Sequence, residues 1–121
     1  MNKMLSVSMN YDEYIEEVRK YSSDEVIARL VSHLTNWKSD NANAVELADS
    51  IERFFGNSWI TSEETHSHLY KLWSSFKAEA ISGIGGMTMN ERLYWFGLFE
   101  RYESATEAEQ QVIYAKLYAN T

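Results

Sequence analysis

From Val26 the apolar positions fall at Val26, Ile27, Leu30, Val31, Leu34 and Trp37, a stripe on a 3.6-residue period that predicts an amphipathic helix. The same period returns in Leu47, Ala48, Ile51, Phe54 and Phe55, with Gly56 placed to be the C′ residue. It returns again in Leu69, Leu72, Trp73, Phe76 and Ala80, and in Val112, Ile113, Leu117 and Tyr118. A fifth helix, with Leu93, Tyr94, Trp95, Phe96, Leu98, Phe99 and Tyr102, is apolar nearly all round, which places it at the centre of a bundle. Gly97 inside it lowers helix propensity by about 1 kcal/mol relative to Ala and allows a close helix crossing. Strand-like alternation appears only over Met4–Met9, too short to weigh against the helical period.

Start signals agree with the stripes. A Ser, Thr or Asn followed three residues later by Glu can cap a helix reciprocally, the side-chain oxygen accepting from a free backbone N–H while the Glu reaches back. Such pairs stand at Asn10–Glu13, Ser22–Glu25, Asn43–Glu46, Thr61–Glu64, Thr88–Glu91 and Thr106–Glu109. Met9 with Tyr14 and Tyr21 with Val26 supply matching hydrophobic staples, and no proline interrupts any helix. Ser82-Gly83-Ile84-Gly85-Gly86 reads as a flexible joint between helices. The expectation is an all-α fold of five to six helices, an irregular or orthogonal bundle. At 121 residues the chain makes one helical domain over 1–121.

Composition narrows the chemistry. A formal charge of -7 repels a phosphate backbone unless the bases cluster, and they do not, so direct nucleic-acid binding is disfavoured. With no cysteine there is no disulfide, thiolate metal site or cysteine nucleophile. Met1–Asn10 lacks the apolar run of a signal peptide, and Leu93–Phe99 falls far short of the roughly 20 residues that span a bilayer. A cytoplasmic location with no membrane partner is expected.

Catalytic and metal motifs are weak. Glu63-x-x-His66 resembles half of a di-iron motif, but His33 has Leu30 three residues before it, so no second half exists. On a helix His66 and His68 point roughly 200° apart, and Glu64–His68 is an ordinary i, i+4 surface pair. Gly83, Gly85 and Gly86 match neither a dinucleotide fingerprint nor a P-loop, and no serine sits in a nucleophile elbow. Adjacent acids such as Glu16–Glu17 normally stay solvated and ionised. No catalytic residue, metal or cofactor is expected, and a metal-dependent enzyme is the reading that elemental analysis tests.

The acids divide into two groups. Asp12, Glu13, Asp24, Glu25, Glu46, Glu63, Glu64, Glu91, Glu107 and Glu109 fall in first turns, where the helix dipole favours each by roughly 0.3–1 kcal/mol. The other eight are Glu16, Glu17, Asp40, Asp49, Glu52, Glu79, Glu100 and Glu103; Arg19, Lys20, Arg53, Lys77 and Arg101 can pair with some of them on a solvated face, and Glu16, Glu17, Asp49 and Glu52 are explained by neither caps nor core. Four Trp, eight Tyr and five Phe exceed what a small helical core needs. Trp59 falls in a predicted linker, where it either plugs the core or anchors a partner. Tyr70 lies off its helix stripe, and Tyr11, Tyr114 and Tyr118 lie near helix ends. Aromatics among acids are the usual anchors of a protein interface. The candidate partner-binding set is therefore Glu16, Glu17, Asp49, Glu52, Trp59 and Tyr70.

The stretch Met87–Leu117, MTMNERLYWFGLFERYESATEAEQQVIYAKL, resembles the tail of small bacterial immunity proteins of contact-dependent growth inhibition and related polymorphic-toxin systems. The matching residues are Asn90, Glu91, Arg92, Leu93, Leu98 and the turn at Ala105, over about a quarter of the chain. The resemblance implies a non-enzymatic protein that binds one cognate toxin domain, a tRNase or other RNase or DNase, and masks its active site. It carries no residue roles with it. The alternative from another class is a phage-encoded acidic nucleic-acid mimic that inhibits a host nucleic-acid-binding complex. Genomic neighbourhood or a pull-down separates the two.

Overall fold

The computed structural model describes residues 9–117, and they form seven α-helices with no strand among them: α1 Tyr11–Arg19, α2 Glu25–Trp37, α3 Ala44–Asn57, α4 Glu63–Phe76, α5 Met89–Trp95, α6 Phe99–Glu103 and α7 Glu107–Leu117. The all-α class is as expected, and the helix count exceeds the expected five to six because the fifth helix is divided. Its divider is Gly97, at φ +66. Gly97 N donates to Tyr94 O at 3.2 Å and Leu98 N donates to Leu93 O at 2.9 Å, so Gly97 is the C′ residue of a Schellman turn. Leu93 and Leu98, the two apolar residues that bracket such a turn, are both buried. The helix is therefore not a central rod: Leu93, Phe96 and Leu98 face inward while Tyr94 and Phe99 face solvent.

Caps at Asn10, Asn43 and Thr88 form reciprocal boxes with Glu13, Glu46 and Glu91. Thr106 and Glu109 do the same, at 2.8 and 3.2 Å. Two starts move. Ser22 Oγ donates back to Arg19 O at the end of α1, and Asp24 instead caps α2 by accepting from Val26 N at 2.8 Å. Asp24 also accepts from Thr61 N at 3.4 Å, which ties the start of α2 to the approach to α4. Ser62, not Thr61, caps α4 through Thr65 N. Gly56 lies inside α3 rather than beyond it, because Ser58 N closes the last turn on Phe54 O.

After α4 the chain tightens through a π-helical turn, Lys77–Ile81, and a 3-10 turn, Ile84–Gly86. The π turn brings Ala80 and Ile81 both into the core, and Ile84 anchors the glycine-rich segment there. A Cβ on Gly83 would meet Glu79 O at 2.8 Å, so the backbone closure requires glycine.

The core sits where α1, α2, α4 and the end of α5 meet. Phe96 packs its ring 5.4 Å from those of both Trp37 and Phe76, and Tyr11 lies 5.3 Å from Trp37. Tyr14 and Trp73 extend the stack, with ring centroids 5.8 Å apart. Both tyrosines satisfy their hydroxyls on main-chain carbonyls: Tyr11 donates to Leu34 O at 2.6 Å and Tyr14 to Leu69 O at 2.9 Å. Tyr11 is thus a core residue, not a surface anchor. No helix among the described residues is long and apolar enough to cross a membrane.

Candidate functional site

The six candidate residues lie on three helices and one loop. Glu16 and Glu17 stand on α1, Asp49 and Glu52 on α3, Tyr70 on α4, and Trp59 on the connection from α3 to α4. α4 links the two acidic pairs. On one side His68 Nε2 lies 2.9 Å from Glu17 Oε2; on the other Tyr70 Oη donates to Glu52 Oε1 at 3.4 Å.

The six therefore do not converge on one face, and much of their charge is already matched. Glu17 accepts from Lys20 at 2.9 Å as well as meeting His68, and those hydrogen bonds hold its carboxyl below the usual carboxylate range. Glu16 pairs with Arg19 at 3.2 Å, and Glu52 pairs with Lys77 at 3.2 Å. Asp49 is exposed and makes no ion pair among the described residues. The i, i+4 pair of Glu64 and His68 does not form, since His68 turns to Glu17 instead.

The aromatics differ from one another. Trp59 is 80% exposed, so its indole does not plug the core. Tyr70 is 37% exposed, with its ring 5.3 Å from that of Phe55, which fixes its orientation. Phe55, Gly56, His66, Tyr70 and Glu52 line a shallow depression beside it. Tyr114 is exposed on α7. Tyr118 lies outside the described residues.

Each histidine has its own partner: His33 lies 2.7 Å from Ser50 Oγ, His66 3.1 Å from Phe55 O, and His68 on Glu17. Among the described residues no three His, Cys, Asp or Glu side chains converge in a way that could hold a metal ion.

Two features escaped sequence reasoning. Lys116 is only 2% exposed and spends its ammonium protons on Asp40 O at 2.7 Å, Asp40 Oδ1 at 3.0 Å and Ala42 O at 2.6 Å. Its Nζ also stands 4.3 Å from the Trp37 ring centroid. A signal did exist, because Ile113, Lys116 and Leu117 share one helix face, which makes the lysine the odd member of an apolar stripe. The second is Phe99, 41% exposed on α6 beside Tyr94 at 58%. A comparison with protein-family models, with curated proteins and with solved structures finds no match for this chain, so its own surface carries the functional argument.

Proposed function

We propose that the protein is a non-enzymatic immunity protein that binds a cognate toxin domain, a nuclease, and neutralises it by covering its active site. The observation that carries this reading is Trp59, a large apolar side chain held 80% exposed on a connection flanked by acidic helices. Exposing an indole forgoes roughly 2 kcal/mol of burial, a loss that a partner's pocket would recover. Tyr70 adds a second anchor with its hydroxyl on Glu52, while Glu16 and Glu17 on α1 and Asp49 on α3 supply further carboxylates to the surface. The excess of negative charge steers a basic nuclease toward this surface and disfavours wrong partners more than it adds affinity.

Co-expression with the toxin domain encoded by the neighbouring gene tests the reading. Survival of the cells together with a stoichiometric complex is the expected result, and Trp59→Ala weakens both. Turnover of a small molecule by the purified protein, or tight binding of bare DNA or RNA at physiological ionic strength, overturns it.

A further inference from the structure

A groove opens between α5, α6 and α7, away from the candidates above. Phe99 and Tyr102 form its apolar walls over the buried Leu93 at its floor, and Asn90, Glu103 and Gln110 its polar rim. The Schellman turn at Gly97 creates it: Leu98 is driven inward, so the next residue, Phe99, is turned outward as a wall. Gln110 Nε2 donates to Tyr102 O at 2.9 Å and fixes the far side of the groove to α7.

Glu103 is the one charge in this lining, and its own helix cannot match it. The positions three and four residues away are Glu100, Phe99, Thr106 and Glu107, none of them a cation. On α1, by contrast, Glu16 and Glu17 find Arg19 and Lys20 at i, i+3. The Glu103 carboxylate makes no hydrogen bond or ion pair among the described residues, and the nearby Arg101 donates instead to Ser39 Oγ at 2.9 Å. A purely apolar occupant would strip water from Glu103 without replacing it, and an anion would be repelled. A cation on an aliphatic stem satisfies both parts: methylenes and charge against the rings of Phe99 and Tyr102, and a hydrogen bond to Glu103.

We propose that this groove receives a basic side chain, arginine or lysine, presented by a protein partner. The inference deepens the proposed function by assigning the toxin a second point of attachment, and it rests on that reading for the partner's identity.

The test titrates the isotopically labelled full chain with N-acetylarginine amide, N-acetyllysine amide and, as a neutral control, N-acetylcitrulline amide, following amide chemical shifts. Arginine or lysine should shift Asn90, Phe99, Tyr102 and Glu103 saturably in the millimolar range, with citrulline about tenfold weaker. Which of the two cations binds more tightly identifies the side chain. Glu103→Gln and Phe99→Ala should each weaken binding about tenfold, while the unchanged remainder of the spectrum reports an intact fold. Shifts centred elsewhere, equal binding of citrulline, or an unaffected Glu103→Gln overturns the groove. Should the groove bind arginine while no toxin is neutralised on co-expression, the immunity reading fails and the groove stands. Should a toxin be neutralised while arginine leaves the groove untouched, only the groove fails.

Discussion

The carboxylate of Asp12 occupies the space that a side chain on Gly97 would need: a Cβ built there lies 2.5 Å from Asp12 Cγ. Asp12 in turn accepts from Lys38 Nζ at 2.6 Å, so α1, the end of α2 and the break between α5 and α6 meet at one glycine. Gly97→Ala therefore suffers twice, from its positive φ and from the contact. The expected loss is about 2 kcal/mol in urea unfolding. In a double-mutant cycle Asp12→Ala relieves the contact and not the φ, so the pair should cost less than the sum of the single changes. Strict additivity would show that Asp12 does not crowd this site.

This glycine also marks where the sequence is legible and where it is not. The α-helical periods and four of the six capping pairs are local, set by residues three or four apart, and they appear in the structure where the sequence places them. Gly97 is ambiguous in the sequence because an apolar helix with a tolerated glycine and two helices joined by a Schellman turn differ only in whether Leu93 and Leu98 are buried together. That is a tertiary outcome. Ser22 and Asp24 compete for one cap within two residues, and the choice follows from Asp24 reaching Thr61 across the fold. In the candidate site, the exposure of Trp59 and Tyr70 depends on what packs against the linker and α4. The matching of Glu17 by His68 and of Glu52 by Lys77 joins residues 51 and 25 positions apart, beyond any local pattern.

Lys116 is expected to be a stability residue rather than a binding one. Its buried ammonium holds the α2–α3 connection to α7 through two carbonyls and a carboxylate. Lys116→Met keeps the aliphatic stem over Trp37 but leaves the carbonyls of Asp40 and Ala42 without this donor. A loss of about 2–3 kcal/mol is expected by denaturant unfolding. A neutral or stabilising result would show that desolvation of the charge outweighs its hydrogen bonds.

The two core tyrosines set the alkaline limit. Burial raises the Tyr14 phenol, and burial together with Asp40, Asp12 and Tyr14 raises Tyr11, both above the ordinary value of 10.0. Their stabilising contribution is complete below pH 10.0, the unfolded value, and falls as pH rises above it toward the folded values, because the unfolded chain releases those protons first. Lys116 acts with the opposite sign. Burial lowers its pKa from 10.5 despite the Asp40 hydrogen bond, so stability rises as pH increases through its folded value toward 10.5. Unfolding free energies between pH 8 and 11.5, a range set by these ordinary values, should therefore turn downward only above about 10. Tyr14→Phe should make that descent shallower; an unchanged slope would mean the phenol ionises in the folded state.

On the acid side, three carboxyls lie below the ordinary 4.5: Glu17 through His68 and Lys20, and Glu91 and Glu109 through the backbone N–H groups of Thr88 and Thr106. Each contributes stability that is complete above pH 4.5 and is lost as pH falls through its folded value. Replacing Glu91 and Glu109 by Gln retains an oxygen that can accept from the cap residue but removes the titration. The double variant should therefore lose less stability than the parent between pH 5 and 3, a window set by ordinary carboxyl values. Thermal midpoints across that range measure it, and parallel curves would rule out the caps as the titrating groups.

If the protein binds a toxin domain as proposed, charge steering and aromatic anchoring should separate kinetically. Asp49 is unmatched by any ion pair among the described residues, and Glu16 meets only an exposed Arg19, so these two project charge into solvent, whereas Glu17 and Glu52 are largely neutralised at home. Reversing Glu16 and Asp49 to Lys should slow association with the toxin domain at low salt and flatten its salt dependence, with dissociation little changed. Trp59→Ala should do the converse, raising the dissociation rate while leaving folding stability within about 0.5 kcal/mol, since its indole packs little in the free protein. Acrylamide quenching supplies the independent check, because Trp59 is open to solvent while Trp37 and Trp73 are buried. If Trp59→Ala removed none of the readily quenched fluorescence, the indole would not be free to enter a partner's pocket.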